Sequence, residues 1–545
     1  MKLRPYQQQA FDNTIAALSE HRSTLIVLPT GTGKTVVFSH LAEHYAAGGR
    51  VLVLAHREEL INQASSKIQA VSGIEPAIEM ADQWAPEDSV FGRSQVIVSS
   101  IQTQATGRMN RFRPDDFSLI IVDEAHHAAA KSYKKVIGHY MADAGCKLVG
   151  VTATPDRSDE VALGEVFDSV AMDYEISDAV RDGWLVPIKQ RSIIVDGLDF
   201  SKVRTVGGDL NGRDLAALME AEGPLHEVTT PAYELTIGRK VLVFSASVAH
   251  AELMCEIFNR HESGSARWVC GTTPKDERRQ MLQDYAAGSF RILVNVGVLT
   301  EGFDDPSIEV VVMARPTKSR SLYAQMVGRG TRPLPTAGID LLDGEDADGR
   351  RSAIAASTKP AVEIMDFVGN AGRHKLITAV DILAGRSSDA VAQRAKAKAK
   401  SGQAGDVQEA IDEAEREIHE ERKHRDAERK KQLVAKARYT VEDVNPFDAL
   451  DIEAPRVKGW DRVKRASNRQ VAYLKGEGID ASKMKLTEAS TLINEINDRR
   501  KRGECGLRQA RILAKHGATN TRVTSAEANI LIQRIYEQRR SGVGI

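Results

Sequence analysis

Short apolar runs rich in β-branched residues recur along the first two thirds of the chain. Each ends in a polar or glycine-containing turn and is followed by a helical pattern. Thr24–Leu28, Val51–Ala55, Val96–Val98, Leu119–Val122 and Leu148–Val151 are the runs of the first series. Runs of this kind predict strands covered on both faces in a parallel sheet. Their alternation with helices from about 24 to 155 predicts a doubly wound α/β domain, with Asp173–Pro187 leading out of it. A second strand–helix series begins at Lys240–Ser245 and continues through Arg291–Val296 and Ile308–Met313, with Ile364–Phe367 as a plausible edge strand. Between the two series, 188–234 has no clear period, and Gly207–Gly212 predicts a loop.

The pattern then changes. Ala390 to Arg438 is dominated by Ala, Lys, Glu, Arg and Gln, with sparse apolar positions at Val407, Ile411, Ile418 and Leu433. This predicts a solvated helix or helical linker without a sustained heptad. Beyond it the chain repeats itself. Ser467–Leu474 aligns with Gly506–Leu513 at an offset of 39, and Gly478, Glu488–Ala489 and Leu492–Ile493 find Gly517, Glu527–Ala528 and Leu531–Ile532 at the same offset. Each copy reads as helix, glycine turn and second helix, with Thr487 or Ser525 as the hydroxyl before the second helix. The expected segments are 1–187, a linker or insertion at 188–234, 235–385, a charged helical linker at 386–454, and a basic helical module at 455–545 with repeats 467–496 and 506–535.

Composition alters this outline in one place. Of 545 residues, 42% are hydrophobic and 27% charged, as in soluble globular proteins. No apolar run approaches the length of about 18 residues that a membrane helix needs, and the stretch Met1–Gln7 lacks an apolar signal region. Cys146, Cys255, Cys270 and Cys505 form no CxxC pair, so a zinc site is not expected and a reducing, cytoplasmic location is. The net charge of −1 is unevenly spread. From Arg456 onward there are 20 Lys and Arg against 9 Asp and Glu, about +11 on the tail and −12 on the rest. A basic appendage on an acidic body points to a polyanionic partner. The other reading is a small protein-docking module with solvated charges.

Chemistry enters at the strand ends. Leu28 is followed by Pro29-Thr30-Gly31-Thr32-Gly33-Lys34-Thr35 and then a helix. Strand, glycine loop and helix make a phosphate cradle of backbone N–H groups and a positive helix end. Lys34 is expected to reach the β- and γ-phosphates and Thr35 a magnesium ion. The first position of the usual loop pattern is Leu28 rather than glycine. The run Leu119–Val122 delivers Asp123 and Glu124 to a strand's C-terminal end, where α/β sheets open a ligand crevice. There Asp123 could hold the magnesium and Glu124 could orient and deprotonate a water. Alone, the same residues read equally as a strand and a solvated turn. His56 and Arg57, Ser99 and Gln102 end two neighbouring strands, where they could contact a sugar–phosphate backbone or simply be loop polarity. In the second series Arg329 and Arg332, three apart, would share a helix face and could clamp a γ-phosphate. Gln7 could pair with an adenine edge.

In this order, PTGTGKT, DEAHH (Asp123–His127) and TATP (Thr152–Pro155) resemble motifs I, II and III of the superfamily 2 DEAD/DEAH-box helicases, closest to the restriction-motor-like branch. TEGFD (Thr300–Asp304) resembles motif V, and the segment ending in Arg332 resembles motif VI. The resemblance covers roughly residues 3–335. It implies two tandem RecA-like P-loop domains with parallel sheets, followed by the charged helical linker and the small all-α module. It implies an ATP hydrolase that uses ATP and Mg²⁺, with Gln7 on adenine and Pro29, Thr30, Gly31, Thr32, Gly33, Lys34 and Thr35 around the phosphates. His126 would couple nucleotide state to Thr152 and Thr154. Gly302 and Asp304 would contact nucleotide, and Arg332 would be the arginine finger. The function it implies is an ATP-dependent nucleic-acid motor, a DNA helicase first, with DNA favoured over RNA by family analogy. A duplex translocase and a nucleic-acid-gated switch that acts on a protein partner through the tail are the alternatives. No membrane partner is expected.

Overall fold

The computed structural model describes residues 2–540 except 87–93, 154, 156, 300–302, 336–345, 372–373, 386, 400–404, 435–445, 451, 453, 456–464 and 516–520. Two compact units result: 1–383 with 398–408, and 384–397 with 409–545.

The first unit holds two seven-stranded sheets. Strands β1 (Ser23–Val27), β2 (Arg50–Ala55), β3 (Ala77–Glu79), β4 (Val96–Ser100), β5 (Phe117–Asp123), β6 (Lys147–Thr152) and β7 (Ser169–Asp173) build the first, in the order β3-β4-β2-β5-β6-β1-β7. Every pairing in it is parallel. The β-branched runs occupy its interior because helices cover both faces, and β1, β2 and β4 are buried at every position. Parallel pairing also brings the ends of β1, β2, β4 and β5 to one rim.

The second sheet contains β8 (Ile188–Asp199), β11 (Val241–Ser245), β12 (Ala266–Cys270), β13 (Ile292–Val296), β14 (Val310–Ala314), β15 (Val362–Asn370) and β16 (Gly405–Asp406), in the order β12-β13-β11-β14-β15-β8-β16. All of its pairs are parallel except β16 with β8. Two sequence expectations are corrected here. Ile364–Phe367 lies in an interior strand, since β15 pairs with both β14 and β8. The segment 188–234 is no linker, because β8 is part of the sheet and the helices Gly212–Glu220 and Glu222–Glu234 send Leu215, Met219, Leu225 and Val228 into the same core as Val241 and Val294. Its glycines form the turn of a hairpin, β9 (Thr205–Val206) with β10 (Asp209–Leu210), at Gly207 (φ 60°) and Gly208 (φ 88°). Asp209 then accepts hydrogen bonds from Thr317 Oγ1 and the Lys318 N–H at 2.8 and 2.7 Å.

In the second unit the 39-residue repeat holds down to single hydrogen bonds. The bridge Arg465–Lys485 recurs as Glu504–Thr524. The Ser467 N–H bond to Gln470 Oε1 recurs from the Gly506 N–H to Gln509 Oε1. Gln470 Nε2 donates to Ser490 Oγ, and Gln509 Nε2 to Asn529 Oδ1. The second helices are Leu486–Lys501 and Ser525–Arg540. Thr487 and Ser525 therefore lie inside them, and the capping positions are Lys485 and Thr524, each with its N–H bonded to Glu488 or Glu527. The basic run joining the copies is largely committed internally. Arg499 is 1% exposed and donates to the carbonyls of Leu450 and Thr521. Arg500 pairs with Glu477, Lys501 with Asp498 and Arg502 with Glu504. In the region expected as a charged linker, Ser387 and Arg394 bond Glu415 and Glu421, and 435–445 lies outside the described residues.

Candidate active site

The glycine loop follows β1 and runs into the helix Lys34–Ala46. Gly33, the helix N-cap, has φ 79°, and a Cβ there would meet Gln7 Nε2 at 2.6 Å. Only glycine fits both the dihedral and the contact. That contact also fixes Gln7. Its Nε2 donates to Thr32 O at 2.8 Å and its Oε1 accepts the Arg4 N–H at 2.9 Å. Gln7 thus braces the loop with one donor and one acceptor, and its second N–H and second lone pair are still available for the adenine edge expected from the sequence. Tyr6 Oη adds a 2.6 Å bond to the same Thr32 carbonyl, and the Tyr6 ring stacks on Tyr174 at 5.1 Å.

Across the loop stands the end of β5. Glu124 has φ 48°, an unusual backbone for a residue with a side chain, and the kind of local strain that functional sites hold. Asp123 Oδ1 accepts the Glu124 N–H at 2.9 Å. Glu124 Oε1 lies 3.5 Å from Lys34 Nζ. Burial pushes the Glu124 carboxyl up, but the Lys34 charge and the His126 contact outweigh it and hold the group well below the ordinary carboxylate range. Glu124 therefore stays ionised. His126 Nδ1 is 3.1 Å from Thr152 Oγ1 and 3.4 Å from Glu124 Oε2, so one ring nitrogen links the end of β6 to the acid. Thr154 lies outside the described residues. His127 packs edge-on to His56 at 4.8 Å, and burial pushes both imidazoles down to about 4, keeping them neutral.

The second domain closes the site. The helix Arg320–Gly328 approaches so near that a Cβ on Gly328 would lie 2.5 Å from Thr30 Cβ. The helix stops there, so Arg329 and Arg332 do not share a helical face as their spacing suggested. Arg329 is the C-cap, and Arg332 follows in extended chain held by the Val186 N–H on Thr331 O at 2.8 Å. Both nevertheless reach one cleft, lined by Pro29, Thr30, Gly31, Gly33, Lys34, Thr35, Asp123, Glu124, Asp304, Arg329 and Arg332. Arg329 Nη1 donates to Phe303 O at 2.5 Å, and Arg332 pairs with Asp304. Gly302 lies outside the described residues. Phe303, within the TEGFD run, also lines the cleft, as do Leu60 and Gln63, which had no sequence signal because only the tertiary fold brings them there.

Oxygen donors and cations divide the cleft. Glu124 Oε2 is buried without a hydrogen bond of normal geometry, and Thr35 and Asp123 stand beside it in the cleft lining. Hard oxygen donors of this kind suit magnesium, which needs few protein ligands when phosphates supply the rest. Among the described residues no group of three or more His, Cys, Asp and Glu side chains gathers as a full metal cage.

The rim residues separate into two kinds. Gln102 is exposed, and its Nε2 donates to His56 O at 3.2 Å. Arg57 donates across the cleft to Gly297 O at 3.4 Å. Ser99, in contrast, is wholly buried, bonded to Glu79 O at 2.9 Å and Gln104 Nε2 at 2.8 Å. It cannot meet a nucleic acid there, because β4 is covered on both faces, and Ser100 caps the helix Ile101–Ala105.

This geometry can be set beside known proteins. A family model described as the type III restriction enzyme res subunit matches residues 1–157, and one described as the helicase conserved C-terminal domain matches 225–333. These two regions carry the motifs that resemble those of the superfamily 2 helicases, on their restriction-motor-like side. This chain is 31% identical over 347 residues to the protein named "Putative ATP-dependent helicase IRC3" of Saccharomyces cerevisiae, spanning 61% of this chain and 49% of that protein. It is 32% identical over 349 residues to the protein named "Putative mitochondrial ATP-dependent helicase irc3" of Schizosaccharomyces pombe, spanning 61% and 55%. The chain thus spans about half the length of the curated relatives it matches. The structure titled "The fragment structure of a putative HsdR subunit of a type I restriction enzyme from Vibrio vulnificus YJ016" shares the fold, with a TM-score of 0.50 at 22% identity, over 68% of this chain and 64% of that one.

Proposed function

We propose that this chain is an ATP-driven nucleic-acid motor, a DNA helicase that hydrolyses ATP in the cleft between its two RecA-like domains. The observation that carries the reading is the meeting of Lys34 and Glu124 from one domain with Arg329 and Arg332 from the other on a single cleft. Neither half is complete alone. Water attacks the γ-phosphorus, Glu124 takes its proton, the bond to the bridging oxygen breaks, and Arg332 stabilises the charge on the leaving phosphates. Thr35 and Asp123 would hold Mg²⁺, which when bound neutralises phosphate charge. Phosphate release frees the arginines, the domains part, and loops that grip the nucleic-acid backbone shift past each other.

His56, Arg57 and Gln102 belong to the gripping rim in this reading, with DNA favoured over RNA, and the basic repeat supplies a second contact to nucleic acid or to a protein partner. Among the described residues no helix is long and apolar enough to cross a membrane, and the proposed setting is the cytoplasm. ATPase assays with single-stranded DNA, duplex DNA and RNA, run beside strand-displacement and triplex-displacement assays, test the reading. Strand displacement supports the helicase. Triplex displacement alone replaces it with duplex translocation, and stimulation without displacement replaces it with a partner-directed switch.

A further inference from the structure

Lys359 is a buried cation that the cleft chemistry above leaves unused. It sits between the helix Ala347–Ala356 and β15, and it is 1% exposed. Its Nζ donates to Pro306 O at 2.6 Å and to Arg332 O at 2.8 Å. These carbonyls mark the two backbone segments whose side chains meet in the cleft. Pro306 closes the loop that carries Asp304, and Asp304 pairs with the Arg332 guanidinium. One ammonium thus ties together the main chain beneath both members of that pair. The residue before Arg332 is held independently, by Val186 N–H on Thr331 O and by Thr331 Oγ1 on Gly328 O at 3.1 Å. Lys359 holds the carbonyl of Arg332 itself.

A lysine is a costly way to satisfy two carbonyls. Burial pushes its ammonium down to about 7, against the carboxylates of Asp305, Glu309 and Asp304, which favour the charge. A neutral donor would meet the hydrogen-bonding need of either carbonyl alone. Lysine does what a hydroxyl or amide on a shorter stem cannot. It reaches from outside both segments and fixes their separation, with its remaining charge directed toward the acidic loop.

We propose that Lys359 is a positioning residue for Arg332, fixing the backbone from which the guanidinium turns from Asp304 to the γ-phosphate. The inference rests on the reading of Arg332 as the arginine that stabilises the leaving phosphates. It applies to a residue that touches neither nucleotide nor metal.

The test uses the full chain and its nucleic-acid-stimulated ATPase, with Lys359→Met, Arg332→Ala and the double variant. Misplacing a catalytic group by about 1 Å can slow a reaction on the order of 100-fold, so Lys359→Met is expected to lower kcat about 10- to 100-fold. KM for ATP and the binding of a fluorescent ATP analogue should stay near wild type. The double variant should turn over no more slowly than Arg332→Ala, because the lysine acts only through that arginine. Lys359→Arg, which keeps charge and donors, should recover part of the rate. A folded Lys359→Met with wild-type kcat overturns the proposal, as does a double variant slowed by the product of the two single effects. Wild-type turnover by Arg332→Ala overturns the reading of the arginine itself, a separate result. If Lys359→Met melts below the assay temperature, Lys359→Gln replaces it under the same criteria.

Discussion

Lys34 Nζ and Glu124 Oε1 stand 3.5 Å apart, so the cation expected to bind phosphate neutralises the acid expected to take a proton from water. The acid is buried and ionised, and in the proposed reaction the γ-phosphate draws the lysine away before the base is free. Glu124→Gln keeps the shape and loses the base. Turnover should fall by at least about 100-fold, the scale of lost general-base catalysis. Binding of a fluorescent ATP analogue should be retained or tightened, because the lysine no longer has a competing carboxylate. Undiminished phosphate release in a coupled assay would remove Glu124 from the mechanism.

Two ion pairs join the two RecA-like domains. Lys275 Nζ meets Glu58 Oε1 at 2.6 Å, and Arg278 Nη1 meets Glu59 Oε1 at 3.1 Å. The acids begin the helix Glu58–Ser72 that follows Arg57, and the cations begin the helix Lys275–Ala286 of the second domain. Exposed pairs contribute little to stability, but reversing one side turns attraction into repulsion across a hinge. Lys275→Glu with Arg278→Glu should raise KM for ATP about two- to fivefold at low salt, from about 1 kcal/mol for the two pairs. Adding Glu58→Lys and Glu59→Lys should restore it, and high salt should erase both effects. A KM insensitive to the first swap would show that the pairs do not govern closure.

Much of this architecture is legible in the sequence because its signals are local. Buried parallel strands announce themselves as unbroken runs such as Leu119–Val122, and the loop from Pro29 to Thr35 needs its glycines for reasons of backbone alone. Legibility fails where a residue's role depends on what the fold brings to it. Ser99 and Gln102 look alike as polar strand ends, yet Ser99 is the buried penultimate residue of β4 and Gln102 lies on the exposed side of the helix that follows it. β8 was obscure because half its neighbours, in β15, lie more than 160 residues onward. That Gln7 also braces the glycine loop, through Thr32 O, depends on the tertiary approach of the first helix to that loop. A lysine in sequence defaults to the surface, so nothing in the stretch around Lys359 announces a buried tether.

His250 offers a pH test that is independent of catalysis. It is fully buried in the second domain, where Nδ1 lies 3.0 Å from Ser245 Oγ and accepts the Ala246 N–H at 3.3 Å. Burial pushes its imidazole down to about 4 from the ordinary 6.5. The folded state therefore resists a proton that the unfolded chain accepts. Stability from this residue is complete above pH 6.5 and is lost as the pH falls toward 4. At about 1.4 kcal/mol per pH unit the loss approaches about 3 kcal/mol at the acid end. His250→Asn keeps an acceptor near Nδ1 without the titration. Its melting temperature should be lower at neutral pH and fall less steeply than wild type from pH 6.5 to 4. Parallel slopes would mean the imidazole is hydrated in the folded chain.

The duplicated module carries its own control for helix capping. In the second copy Thr524 and Glu527 satisfy each other's backbone, the Thr524 N–H on Glu527 Oε2 at 2.9 Å and the Glu527 N–H on Thr524 Oγ1 at 3.3 Å. In the first copy the Lys485 N–H reaches Glu488 Oε2 at 2.8 Å, but a lysine has no oxygen to return the bond. The Glu488 N–H loses its side-chain acceptor, and a cation sits at the positive end of the helix Leu486–Lys501. Lys485→Thr supplies the acceptor and removes the charge at once. Because Ser or Thr at a helix N-cap is worth about 1 kcal/mol over residues that cannot cap, the variant should stabilise the module by about that amount. Thr524→Lys, the reciprocal change, should cost a similar amount, and both should appear in the midpoint of chemical unfolding followed by amide exchange in the two second helices. If Lys485→Thr is neutral while Thr524→Lys destabilises, the copies are equivalent in backbone but not in how their first turns are held.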